Sequence, residues 1–111
     1  MNHLTKNEEI ILVSILRLDE NAYGVSIKNQ IRKLTGVDWN YGLLYATLDQ
    51  LAKKGLLIKK EGKPMPERGG RRKIYYTISR GGHRALEEAY RLKVALWDGV
   101  AAFAQKNGEQ S

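Results

Sequence analysis

Leu57-Ile58-Lys59-Lys60-Glu61-Gly62-Lys63-Pro64-Met65-Pro66-Glu67-Arg68-Gly69-Gly70-Arg71-Arg72-Lys73-Ile74-Tyr75-Tyr76-Thr77-Ile78 is two strand-like runs around a turn-rich, basic middle. Leu57 to Glu61 and Arg72 to Ile78 carry the β-branched and aromatic residues that favour a pleated surface. Between them, Pro64 and Pro66 hold the backbone extended while Gly69 and Gly70 let it turn back. The stretch therefore predicts a hairpin with a long basic loop from Gly62 to Arg71. Nine basic residues against two acidic ones lie between Lys53 and Lys73, so this segment holds the whole net charge of +7 and the remainder cancels. Charge concentrated in this way makes a local field suited to a polyanion. A solvated basic loop is the plainer alternative.

Upstream of the hairpin the pattern is helical. Thr5-Lys6-Asn7-Glu8 has the spacing of a capping box, and Ile11, Leu12, Ile15, Leu16 and Leu18 make an apolar arc too wide for one stripe. A first helix from Thr5 to about Leu18, buried on two sides, is expected. A second runs from Ala22 or Tyr23 to Leu34 and ends at Thr35-Gly36. Val37-Asp38-Trp39 reads as a short strand, and Asn40 as the N-cap of a third helix through Lys54, closed by Gly55. After the hairpin, Ser79 caps a last helix that settles after Gly81-Gly82 and reaches about Gln105, ahead of a tail over 106–111. The order is helix, helix, short strand, helix, strand, basic loop, strand, long helix. That is mainly α with a small β-wing, the winged form of the helix-turn-helix. With 111 residues there is room for one such domain over 5–80 and a C-terminal helix over 81–105.

Several function classes are excluded at this stage. The chain has no cysteine and only two histidines, His3 and His83, so no metal site and no thiol chemistry is expected. It has no phosphate-binding glycine loop and no nucleophile-elbow serine; Asp19-Glu20 and Glu87-Glu88 read as surface charges, so neither an enzyme nor a cofactor is expected. The polar start, Met1 to Glu9, lacks an export signal, and no apolar run approaches a membrane span. A cytoplasmic protein that does not enter membranes is the expectation.

On a helical wheel, Leu44, Leu48 and Leu51 of the third helix face the core. Gly42, Ala46, Asp49, Gln50 and Lys53 face away, with Leu43 and Tyr45 on the flanks. Small residues at 42 and 46 would let the backbone approach base edges, and the Ala46 methyl suits a thymine methyl. Asn40 and Tyr41, beside the free amides of the helix start, are placed to hold a phosphate. Asp49 is awkward, because it would repel one. Lys63, Arg68, Arg71, Arg72 and Lys73 lie at or beside the wing tip, where basic side chains can reach phosphates or the minor groove. Double-stranded DNA is the expected partner; a winged helix that binds a protein or RNA is the rival.

Ala22-Tyr23-Gly24-Val25-Ser26-Ile27, Leu44-Tyr45-Ala46-Thr47-Leu48-Asp49-Gln50-Leu51 with Lys54-Gly55-Leu56-Leu57, and Glu67-Arg68-Gly69-Gly70-Arg71-Arg72-Lys73-Ile74-Tyr75-Tyr76 resemble the PadR family of bacterial regulators, over roughly residues 5–86. The resemblance implies a dimeric winged-helix repressor, released from its operator by a small molecule or a stress signal. It also implies DNA contacts at Tyr45 and from Gly69 through Gly70, Arg71 and Arg72 to Lys73. The short C-terminus resembles the subfamily with a single final helix.

That helix carries two apolar stripes: Leu86, Tyr90, Val94, Trp97, Ala101 and Ala104, and beside it Ala85, Ala89, Leu92, Leu96 and Phe103. One is expected to pack on the first helix and the other to be covered by a second copy, since monomers avoid large apolar patches. Ile11, Ile15, Tyr90, Val94, Trp97 and Ala101 are the expected homodimer contacts. A two-fold dimer would set two recognition helices on half-sites of a pseudo-palindromic operator about 34 Å apart. Trp97 is also the candidate to stack a flat hydrophobic or aromatic effector, with plain interface packing as the alternative.

Overall fold

Thr5 and Glu8 cap the first helix reciprocally: the Glu8 N–H donates to Thr5 Oγ1 at 3.1 Å and the Thr5 N–H to Glu8 Oε1 at 2.9 Å. From this cap the computed structural model, which describes residues 3–64, 69 and 72–100, runs in sequence order. It has α1 (Lys6–Leu18), a 3₁₀ turn (Asp19–Asn21), α2 (Gly24–Thr35), α3 (Tyr41–Lys53), β1 (Leu57–Pro64), β2 (Arg72–Ile78) and α4 (Arg80–Trp97). Among the described residues the architecture is four helices and one two-stranded antiparallel sheet. This is the mainly helical winged arrangement expected.

The core forms where the apolar periodicities converge. α1 buries Ile11, Leu12 and Ile15, α2 buries Ile27 and Ile31, and α3 buries Leu44, Leu48 and Leu51. Leu57, Tyr76 and Trp39 close the sheet side. α1 touches α2, α3, β2 and α4, which is why its apolar arc is so wide. Each fully buried aliphatic side chain contributes about 1.5–3 kcal/mol, so this cluster fixes how α3 sits against the other elements.

In the sheet, Leu57 pairs with Ile78, Lys59 with Tyr76 and Glu61 with Ile74, and after an irregularity Pro64 pairs with Arg72. β1 thus extends three residues past Glu61. Lys63 stands on a strand and not in the loop, and Pro64 is tolerated at the end of an edge strand where no donor is needed.

Four other expectations are corrected. Val37-Asp38-Trp39 forms no strand; the sheet gains its third edge from the residues before α2, where Tyr23 bridges to Tyr75 and the Tyr76 N–H donates to the Ala22 carbonyl at 2.9 Å. Ala22 and Tyr23 are therefore outside α2, which begins at Gly24. α4 starts at Arg80, with Gly82 buried against Leu56, and it stops at Trp97; positions 101–105 of the expected helix lie outside the described residues. Asp98 leaves the helical conformation and Gly99 takes φ +77, the left-handed geometry that glycine adopts at helix ends. Ile11 and Ile15, expected at a subunit seam, are 0% and 2% exposed within their own chain. They are consumed by the core and have no surface left for a partner. The residues expected in the tail over 106–111, and Phe103 and Ala104, lie outside the described residues.

Candidate nucleic-acid interface

Asn40 begins α3 with its side chain, whose Oδ1 accepts the Leu43 N–H at 2.7 Å. From there the wheel reading holds: Gly42, Ala46, Asp49, Gln50 and Lys53 are exposed, while Leu44, Leu48 and Leu51 are buried. Thr47 is buried too, and its hydroxyl satisfies itself on the Leu43 carbonyl at 2.8 Å. The far end of the helix is pinned to α1. Lys54 donates to Glu8 Oε2 at 2.6 Å, and Glu8 is 1% exposed. Burial pushes the Glu8 carboxyl up, but Lys54 and the Thr5 N–H outweigh it and leave the group below its ordinary value.

Tyr41 and Tyr45 are both half-exposed on the outer flank of α3 and stack with ring centroids 6.0 Å apart at an interplanar angle of 20°. The Lys28 ammonium of α2 lies 5.3 Å from the Tyr41 ring and bonds Asp38 at 2.6 Å. At the other end of the stack, a Cβ built on Gly24 would come within 2.1 Å of the Tyr45 hydroxyl oxygen. Only glycine leaves room for that hydroxyl over the start of α2. Asp49, which looked repulsive from the sequence, is paired: Lys59 of β1 reaches it at 2.9 Å. Lys59 can do so because it stands opposite Tyr76 on the helix-facing side of the sheet.

Along the wing, Lys63 and Arg72 are exposed near the strand ends. Lys73 is half-buried, with its ammonium 4.1 Å from the Tyr23 ring, and Tyr23 meets Tyr75 edge-on at 5.7 Å. A small notch bounded by Tyr23, Gly24, Tyr45 and Lys73 separates the wing from α3. Gly69 has φ +65, consistent with a turn there. Arg68, Gly70 and Arg71 lie outside the described residues. The sequence reading missed Lys28 and Lys59, because nothing local shows which lysine a fold will bring beside a carboxylate ten residues away. Tyr23 and Gly24 were visible only as part of a familiar string.

α4 leans on α1 through half-buried Ala85, Leu86 and Ala89, and Lys93 ties it to Glu9 at 2.9 Å. Beyond that, Tyr90, Leu92, Val94, Leu96 and Trp97 are all exposed, so in the last two turns neither stripe is covered by its own chain. An open groove of about 180 Å³ runs between residues 3–9 and α4, with Leu4, Ala89, Leu92 and Trp97 among its walls. Ala101 lies outside the described residues. Among the described residues no group of His, Asp and Glu is arranged to hold a metal ion, and no helix is long and apolar enough to cross a membrane.

The family model for the transcriptional regulator PadR-like family matches residues 11–88. The chain belongs to this family. A solved PadR-like transcription factor from Bacteroides fragilis is 23% identical, with TM-score 0.72 over 87% of this chain and 88% of that one. A PadR family transcription regulator from Clostridium difficile R20291 is 24% identical, with TM-score 0.63 over 89% and 95%. F93 from STIV, a winged-helix DNA-binding protein, shares 19% identity and TM-score 0.64 over 84% and 92%. These likenesses are of fold. No curated protein matches in sequence. This PadR-like chain is thus a DNA-binding transcriptional regulator and not an enzyme, and the matched span includes α3 and the wing.

Proposed function

We propose that this PadR-like protein is a cytoplasmic homodimeric repressor that holds a pseudo-palindromic operator and lets it go on a small-molecule or stress signal. The observation that carries the DNA reading is the outer face of α3: from Asn40 to Leu48 it has no charge, it is bare at Gly42 and Ala46, and the Tyr41–Tyr45 stack stands beside it. Such a face suits base edges, where contacts must be close, and leaves phosphate gripping to its neighbours. In this reading Asn40, Tyr41, Gly42, Tyr45 and Ala46 enter the major groove. Lys63, Arg68, Gly69, Gly70, Arg71, Arg72 and Lys73 hold the backbone or the minor groove.

The bare end of α4 supports a two-fold partner through Tyr90, Val94, Trp97 and Ala101, and the groove beside Trp97 supports a flat apolar effector. Binding of the purified protein to the DNA upstream of its own gene, followed across a salt series, tests the first part. Log K should fall by about 0.9 per phosphate contact for each log unit of salt, and Arg71→Ala with Arg72→Ala should flatten that slope and weaken all sequences alike. A salt-indifferent curve, or better competition by structured RNA than by duplex, would remove the reading. Quenching of tryptophan fluorescence by planar aromatics, lost in Trp97→Ala, tests the effector seat; a broad panel without quenching removes it.

A further inference from the structure

Asp38 and Asp49 stand at the two ends of the uncharged reading face, and each holds a lysine brought in from a different element. Asp38, two residues before the N-cap of α3, takes Lys28 of α2 at 2.6 Å. Asp49, on the outer face one turn beyond Ala46, takes Lys59 of β1 at 2.9 Å. Both carboxylates are well exposed. Exposed pairs of this kind add little to folding stability. Their placement is the informative part: in a protein with a net charge of +7, these two lysines flanking the reading helix are neutralised in place. We propose that Asp38 and Asp49 are internal stand-ins for phosphate, each occupying a lysine that would otherwise grip the duplex backbone, so that the protein discriminates better between operator and unrelated DNA.

The inference rests on the DNA-binding reading and adds a specificity device to it. Binding to unrelated DNA is almost wholly electrostatic, whereas binding to an operator adds base contacts. Base contacts fix the register on an operator, so a freed lysine gains a phosphate there only if one lies at that fixed place, whereas on unrelated DNA the protein can settle wherever it gains one. Withholding two lysines therefore costs unrelated DNA more, and the ratio of the two is what matters in a genome of competing sites. A carboxylate and a phosphate compete for the same ammonium, and the ionised carboxylate also repels a nearby phosphate. Lys28 holds the Asp38 carboxyl below its ordinary value, and Asp49 holds the Lys59 ammonium above its own.

The full-length Asp38→Asn/Asp49→Asn double variant is titrated against a random-sequence duplex and against the upstream DNA, over a salt series. Each lysine released should steepen the slope of log K against log salt by about 0.9, which at 0.15 M salt is a gain of up to about fivefold per lysine on the random duplex. The upstream DNA should gain less, so the ratio narrows. Glu87→Gln adds one unit of charge, as each aspartate substitution does, by breaking the Glu87–Arg91 pair on α4, and it should do neither. Lys59→Met uncovers the Asp49 carboxylate and should weaken binding when made alone, and in the Asp49→Asn background it should cancel the gain. Unchanged slopes, an equal effect from Glu87→Gln, or a loss confined to one operator base pair (Asp49 then reading a base) would each overturn the proposal while leaving the DNA reading intact. Failure of the unsubstituted protein to bind duplex would overturn both.

Discussion

Gly24 and Tyr45 are twenty-one residues apart, yet each decides what the other can be. The Tyr45 ring lies along the outer flank of α3 and puts its hydroxyl where a Cβ at position 24 would sit, 2.1 Å from the oxygen and 2.9 Å from Cζ. Gly24→Ala cannot be absorbed locally, because Gly24 is buried and the neighbouring Ala22 carbonyl is tied to the Tyr76 N–H. The tyrosine must move, and the Tyr41 stack moves with it. We expect Gly24→Ala to cost about 1–3 kcal/mol in chemical denaturation, the range for overpacking. It should also weaken duplex binding at least as much as Tyr45→Ala does. Adding Tyr45→Phe to Gly24→Ala removes the closest atom and should recover part of the stability; full additivity of the two substitutions would show that they do not meet. None of this was legible in the sequence, where Gly24 was one letter of a family string. A close approach between elements leaves no mark on local periodicity.

Local signals, by contrast, located the elements well. Thr5, Asn40 and Ser79 announce three helices, and in each case the side-chain oxygen accepts the amide three residues on. The failures came where a local preference competed with a tertiary one: Val37 and Trp39 have strand character, but the edge beside β2 is already taken by Ala22 and Tyr23. Glu8 shows the same limit from another side. Its role in the capping box was readable, and its ion pair with Lys54, forty-six residues on, was not. That pair joins the first turn of α1 to the C-cap of α3, so its pH dependence belongs to both. Because the carboxyl sits below its ordinary value in the folded protein, its stabilisation is complete above that ordinary value and fades as pH falls through the lowered one. Glu8→Gln keeps an oxygen for the Thr5 N–H but loses the charge. It should cost about 1–2 kcal/mol at pH 7, given that Lys54 stays partly solvated. It should also make the acid limb of a Tm-against-pH curve shallower. An acid limb identical to that of the unsubstituted protein would mean that Glu8 is not charged in the fold.

Between the scale of one subunit and that of an operator complex lies the exposed end of α4. The helix is 18 residues, about 27 Å long; its half-buried residues end at Ala89, and Lys93 adds an ion pair to Glu9 of α1. Its last two turns present Tyr90, Leu92, Val94, Leu96 and Trp97 to solvent on more than one side, which a plain amphipathic surface helix would not do. In the proposed dimer a second copy would cover this segment and bring two α3 helices to one duplex. Binding of the second helix then becomes intramolecular, and linkage of that kind raises affinity by about 10²–10⁴ over a single contact. Val94→Glu separates the two roles of the chain, because Val94 is half-exposed in the subunit and touches neither the core nor the α3 face. We expect the variant to fold, with a change within about 0.5 kcal/mol by denaturation of the subunit, and to sediment as a monomer where the unsubstituted protein is a dimer. Its affinity for the upstream DNA should drop by about two orders of magnitude or more, while its affinity for an isolated half-site should match that of the unsubstituted protein. A Val94→Glu protein that remains dimeric, or a monomer that binds the full operator undiminished, would move the two-fold axis off this helix.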